Sequence, residues 1–285
     1  ENKELTLAQQ KKKELFAQKK NGYDKLAEGE LALITEYCEG YKTYLDEAKT
    51  EREAVKYSIK LAEEKGYKPY SFGMTMKAGD KFYYNNRGKG IYLFRVGSES
   101  INNGIRITAA HLDSPRLDLK QVPVYEDNGM CFFKTHYYGG IRKYQWVTIP
   151  LELHGVIALK NGEVVRDSVG NGEGDPLFTI DDLLPHLGAE QSRKPLGEAI
   201  PGESLNILVG SRPLMDDDGS DRVKLAILEL LYEKYGITEE DFLSAELTAV
   251  PAFDVCEIGL DRSMIGGYGH DDRGCAWAEL KAIFD

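Results

Sequence analysis

The run from Ile105 to Lys120, IRITAAHLDSPRLDLK, constrains this chain more than any other stretch. Ile105, Ile107, Ala109 and Ala110 read as a buried strand, and Pro115, which has no backbone donor, takes the chain out of regular pairing soon after. His111 and Asp113 therefore fall at a strand's carboxyl end, the edge of an open α/β sheet where loops converge and ligands bind. A His at i with an Asp at i+2 lets an imidazole face a metal while the carboxylate orients the ring. The same residues equally describe a turn holding a hydrogen-bonded histidine. Other parts of the chain have to separate these two readings.

The charge balance narrows the partners. Lys and Arg number 36 against 47 Asp and Glu, a net charge of −11. A chain this acidic repels phosphate backbones and anionic lipid, so neither nucleic acid nor a membrane surface is an expected partner. No apolar run reaches the ~18 residues of a membrane span, and ENKELTLAQQKKKELFAQKK lacks the apolar core of a signal peptide, so a cytoplasmic location is expected. Cys38, Cys131, Cys256 and Cys275 are scattered without a CxxC pair, which signals neither a zinc knot nor a disulfide framework; buried free thiols are expected.

At 285 residues the chain is long enough for two domains. Residues 4 to 66 read as helices: Leu31–Ala48 carries one apolar stripe, and Thr50 with Glu53 forms a capping box for a second helix that Gly66 stops. The strand period begins at Lys81, where KFYYNN and IYLFRV flank the turn RGKG. From about 120 to 252, short β-rich runs (131–136, 145–149, 151–159, 163–166) are broken by glycine turns, with helices expected over 181–191 and 221–235. That texture suggests a separate domain inserted into the first. Strands return at 243–250 and 253–258. GNGEGD (170–175) lacks a following helix at dinucleotide-fold spacing and reads as a surface turn. Asp216-Asp217-Asp218-Gly219 lacks the Glu of a calcium loop and reads as acidic capping. The chain shows no motif for a Ser or Cys nucleophile.

The second informative stretch is IGGYGHDDRGCAWAEL (265–280). It sets His270, Asp271 and Asp272 at a glycine-rich strand-to-helix turn, where Asp271 could be aimed at a metal with no side chain in the way. A helix cap is the plain alternative. His111 and Asp271 lie at two separate strand ends, as expected of half-sites with a domain inserted between them.

HLDSPRLDLK (111–120) and GLDRSMIGGYGHDDRGCAWAEL (259–280) resemble the two metal motifs of the aspartyl aminopeptidases and their bacterial relatives, dinuclear zinc metallopeptidases. KTYLDEAKTEREAV and NNRGKG resemble that family's N-terminal region, and YYGGIRKYQW (137–146) and FTIDDLLPHL (178–187) its inserted dimerisation domain. The resemblance implies an α/β fold, a metallopeptidase-type sandwich of the phosphorylase/hydrolase kind interrupted by a β-rich insert. Residues 1–118 and 253–285 would be the two parts of the catalytic domain, and 119–252 the insert. It further implies His111 as a terminal ligand to one zinc, Asp271 as the carboxylate bridging two zincs, and Asp113 as the carboxylate supporting His111. His186 would be the histidine projected toward a neighbouring subunit's active site. The family's Glu-Glu pair, which contains its general base, and its remaining Asp and His ligands would follow Asp285, so this chain is expected to hold part of the site. Implied with these are Zn2+, with Co2+ or Mn2+ as substitutes, a peptide substrate shortened from its N-terminus, and a homo-oligomer built from dimers. A catalytically incompetent assembly fragment and a related dinuclear amidohydrolase are the competing expectations.

Overall fold

The computed structural model describes residues 5–17, 19–215 and 219–285, so the acidic run Asp216–Asp218 lies outside the described residues. Residues 1–41 and 42–285 form two compact units. The first contains α1 (Leu7–Leu15) and the start of α2 (Glu30–Glu47). Thr6 and Gln9 close a capping box on α1. The stripe expected on α2 is covered only near its end, at Tyr44 and Leu45, whereas Leu31 and Leu33 are exposed.

In the larger unit α3 (Glu51–Glu64) starts at the Thr50–Glu53 capping box and ends before Gly66, whose φ of 82° is cheap only for glycine. The expected hairpin forms: β2 (Lys81–Asn86) pairs antiparallel with β3 (Gly90–Arg95), and β1 (Lys68–Pro69) adds a short parallel edge.

A six-stranded sheet dominates the unit. It is built from β4 (Arg116–Asp127), β5 (Met130–Tyr138), β6 (Leu151–Ala158), β7 (Val164–Val169), β8 (Ile207–Gly210) and β9 (Ala245–Pro251), in the order β7-β6-β9-β4-β5-β8. The pairings within it are antiparallel. Its core gathers Leu117, Val124, Phe133, Leu151, Ile207 and Phe242. Burying such side chains contributes roughly 1.5–3 kcal/mol each. The one-turn helix α4 (Leu196–Ala199) precedes β8, and α5 (Arg222–Tyr235) follows it. The first turn of α5 has no side-chain cap of its own; Glu126 of β4 accepts from the amides of Val223 and Lys224 at 2.8 and 2.9 Å. Beyond the sheet lie β10 (Cys256–Ile258), β11 (Met264–Gly266) and α6 (His270–Phe284).

Several local expectations fail for physical reasons. Residues 105–110 form no strand, and Ile105 and Ile107 are 61% and 76% exposed. Extended chain becomes a strand only beside a partner, and no described residue pairs with it. The helix expected over 181–191 is absent; Pro185 interrupts the run, and only a 3-10 turn at Gln191–Arg193 forms. Residues 145–149 are turns rather than strand. Cys256 and Cys275 are exposed, whereas Cys131 is buried and its thiol is pushed up to about 11 by burial. The chain is a mixed α/β structure, and the strands of the described residues form three separate sheets.

Candidate metal centre

His111 and Asp113 sit just before β4, and Asp271 in the first turn of α6, 160 positions later. The fold brings them together. His111 Nε2 lies 3.3 Å from Asp271 Oδ1 and 3.8 Å from Asp272 Oδ2. On the other side of the ring, Nδ1 lies 3.0 Å from the carbonyl oxygen of Asp113 and 3.2 Å from its Oδ1.

Both Asp113 atoms are acceptors, so Nδ1 carries the hydrogen, and in the neutral ring Nε2 points a lone pair at the Asp271 carboxylate. Two Lewis bases at 3.3 Å repel unless a proton or a cation lies between them. The slight burial of the ring acts to lower its pKa, but the charge and hydrogen bonds of Asp113, with the charge of Asp272, outweigh this and leave it raised. Donor types and geometry therefore fit a metal: an oriented imidazole nitrogen, and a carboxylate 81% exposed with its oxygens accessible. By itself the pair offers an ion two donors, because among the described residues no group of three or more His, Cys, Asp or Glu side chains is spaced to hold one.

The supporting carboxylate is itself held. Tyr138, the last residue of β5, donates its hydroxyl to Asp113 Oδ2 at 2.6 Å, and this bond is the chief reason that the Asp113 carboxyl lies below its usual range. The Arg116 guanidinium stacks over the Tyr138 ring at 4.3 Å. His111, Asp113, Pro115, Tyr138, Gly139, Gly140 and Asp271 line an open cleft of about 350 Å³. A smaller cavity of about 70 Å³ between the sheet and α5 is walled almost wholly by apolar side chains such as Phe133, Ile157 and Leu231, and offers a metal nothing.

Asp272 is not among the residues lining the cleft, although its charge reaches His111; its Oδ1 accepts from the amide of Cys275 at 3.3 Å and caps the regular part of α6. His186 is exposed in the turn after Leu184 and is not among the residues lining the cleft. Tyr138, Ser114 and Arg273 escaped the reading of the sequence. The Gly139-Gly140 pair after an aromatic strand end was the one local signal near Tyr138.

The family model described as aminopeptidase I zinc metalloprotease (M18) matches residues 44–285. A probable M18 family aminopeptidase 1 of Clostridium acetobutylicum is 48% identical over 276 residues, covering 95% of this chain and 59% of that protein. The crystal structure of an M18-family aminopeptidase from Thermotoga maritima matches with a TM-score of 0.87 at 41% identity, over 94% of this chain and 58% of that one. The structure of the S. cerevisiae mApe1 dodecamer, at 18% identity and a TM-score of 0.64, shares the fold over 86% of this chain and 55% of its own. The chain thus spans under two thirds of the length of these relatives.

Proposed function

Because this chain belongs to the M18 family of zinc metalloproteases, we propose that the protein is a zinc-dependent aminopeptidase in which His111 and Asp271 are zinc ligands. The observation that carries the reading is the 3.3 Å approach of His111 Nε2 to Asp271 Oδ1, two donors facing one point in an open cleft. Asp271 would be the carboxylate shared by the two metals, since both of its oxygens are available. Asp113 accepts the Nδ1 hydrogen and so fixes the tautomer that leaves Nε2 free; Tyr138 fixes Asp113 in turn. When bound, the metal pair supplies Lewis-acid polarisation and lowers the pKa of a water toward ~7. A peptide entering the open cleft would bring its free α-amine beside the metals, which favours exopeptidase action. The resemblance to the aspartyl aminopeptidases points to acidic first residues. Cobalt or manganese would suit the same nitrogen and oxygen donors.

The remainder of the reading concerns assembly. Residues 119–252 are proposed as a dimerisation insert between catalytic parts 1–118 and 253–285, within a homo-oligomer built from dimers. The exposed Leu183, Leu184 and Leu187 around His186 support a contact surface there, from which His186 would reach a neighbouring subunit's site. A cytoplasmic location is part of the proposal; no described helix is long and apolar enough to cross a membrane.

Stripping the intact protein with a chelator is expected to abolish release of N-terminal residues from peptides, and adding zinc to restore it. Activity that ignores chelation would refute the metal reading. Hydrolysis of N-acylated small molecules with none of free-amino peptides would favour an amidohydrolase, and zinc uptake without any turnover would favour an assembly role. Tyr138→Phe deletes only the phenol hydroxyl, so zinc affinity is expected to fall by about tenfold, the low end for a partner supporting a metal ligand. Titration against a chromophoric chelator checks this, and an unchanged affinity would remove Tyr138 from the site.

A further inference from the structure

Ser114 and Arg273 meet where the two half-sites join, and neither is a proposed ligand. Ser114 is 3% exposed and Arg273 fully buried. The Ser114 hydroxyl donates to the backbone carbonyl of Asp271 at 2.6 Å and accepts a hydrogen bond from Arg273 Nη1. Arg273 Nη2 donates to the carbonyl of Lys49 at 3.3 Å, which ties the start of α3 into the same knot. Beside it, the Tyr268 hydroxyl donates to the carbonyl of Pro115 at 3.0 Å, and burial lifts that phenol to about 12, keeping it a donor. Gly269, at φ 93°, leaves the room: a Cβ there would stand 2.8 Å from Arg273 Nη1.

Among the described residues no carboxylate pairs with Arg273. A guanidinium desolvated without a counter-ion is costly, so stability alone gives no account of its burial here. Its planar fork instead spans two oxygens at fixed angles, which a lysine cannot do. The hydroxyl it grips is one residue from Asp113, and the carbonyl gripped in turn belongs to Asp271.

We propose that Ser114 and Arg273 are positioning residues, a buried clasp that sets the separation of the His111 imidazole and the Asp271 carboxylate and thereby tunes zinc affinity. The inference rests on the zinc reading above. A ligand pair free to drift by an ångström binds its ion less tightly, because the ion must then order the pair itself.

The test compares Ser114→Ala and Arg273→Lys with Thr135→Val in the intact protein. Thr135 has an equally buried hydroxyl, bonded to the carbonyl of Leu205 in the sheet core, away from the cleft. Zinc affinity is read by competition with a chromophoric chelator, and stability by the thermal midpoint of the metal-free protein. Ser114→Ala and Arg273→Lys are expected to weaken zinc binding by roughly 10–100-fold. Thr135→Val is expected to lower the midpoint comparably and leave zinc affinity unchanged. Clasp variants that bind zinc as well as Thr135→Val does would overturn the clasp while leaving the zinc reading intact. Wild-type protein that takes up no zinc would overturn that reading and the clasp with it.

Discussion

Replacing His111 with Ala is expected to empty one zinc position and to cut kcat/KM by about a thousandfold or more, with the metal-free fold unchanged. The size follows from what the imidazole does. A bound metal contributes several kcal/mol of charge stabilisation, and about 4 kcal/mol corresponds to a thousandfold in rate. The fold should tolerate the change because the His111 side chain is 52% exposed, so no core packing is lost. Its disappearance also leaves Asp271 facing solvent rather than a lone pair. Metal analysis of the purified variant, run beside its thermal midpoint, separates the two effects. Full zinc occupancy together with wild-type turnover would remove His111 from the ligand set, and the peptidase reading would lose its anchor.

The largest stability effect is expected at another histidine. His154 of β6 is 2% exposed, with Nδ1 2.6 Å from Glu53 Oε1 and Nε2 3.1 Å from Glu152 Oε1. The first contact is a hydrogen bond; the second is a close charge contact without hydrogen-bond alignment. Burial acts to lower the imidazole pKa, but the two carboxylates outweigh it and raise the group from 6.5 to about 9. Its neighbours across the sheet, Ser168 on β7 and Thr248 on β9, carry no charge, so Glu53 and Glu152 are the ions that face it. His154→Ala takes the shared cation away from the buried Glu152 and the half-buried Glu53, a loss of about 3 kcal/mol, or roughly 6–10 °C in thermal midpoint. Adding Glu152→Gln should recover part of that loss. A His154→Ala midpoint within about 2 °C of wild type would contradict the charged-cluster account.

The same cluster fixes the sign of a pH dependence. A group whose folded pKa is raised stabilises fully below its unfolded value, so the His154 contribution is complete below 6.5 and fades as pH climbs through about 9. Its size is on the order of 3 kcal/mol. Glu53 runs the opposite way. Burial acts to raise it, but hydrogen bonds and charge from His154, with hydrogen bonds from Thr50, bring it below 4.5. Its contribution is present above 4.5 and lost as acid protonates it below that. The gap in midpoint between wild type and His154→Ala should therefore be widest between pH 4.5 and 6.5 and close toward pH 9.5. A gap that stays constant to high pH would show that the imidazole is neutral in the fold. Because Glu53 also closes the capping box on Thr50, the cluster fastens the start of α3 to β6.

Much of the site was legible where chemistry and local backbone coincide. HLDSP places an imidazole and a carboxylate two residues apart, and that spacing alone lets Asp113 orient His111, as observed at 3.2 Å. The glycine-rich turn before Asp271 and the Thr50–Glu53 box are likewise short-range patterns. Tyr138 was not legible. It faces Arg116 only because β4 bulges between Leu119 and Val124, where five steps along β4 match two along β5, from Thr135 to Phe133. Pro123 lies in that bulge and cannot donate to the ladder. Counting back from the turn at Asn128-Gly129 therefore gives the wrong partner.

The sequence by itself determined the helix caps and turns, the proximity of Asp113 to His111, and the family, because each depends on residues close in the chain or on long motifs. Only the tertiary structure decided that a tyrosine from the sheet holds Asp113, that Ser114 grips the backbone of Asp271, and that His154 sits charged between two glutamates. Those contacts join positions 25, 157 and 101 residues apart. Strand register and burial create them, and a register is set by the packing of the whole sheet rather than by any stretch that can be read in isolation.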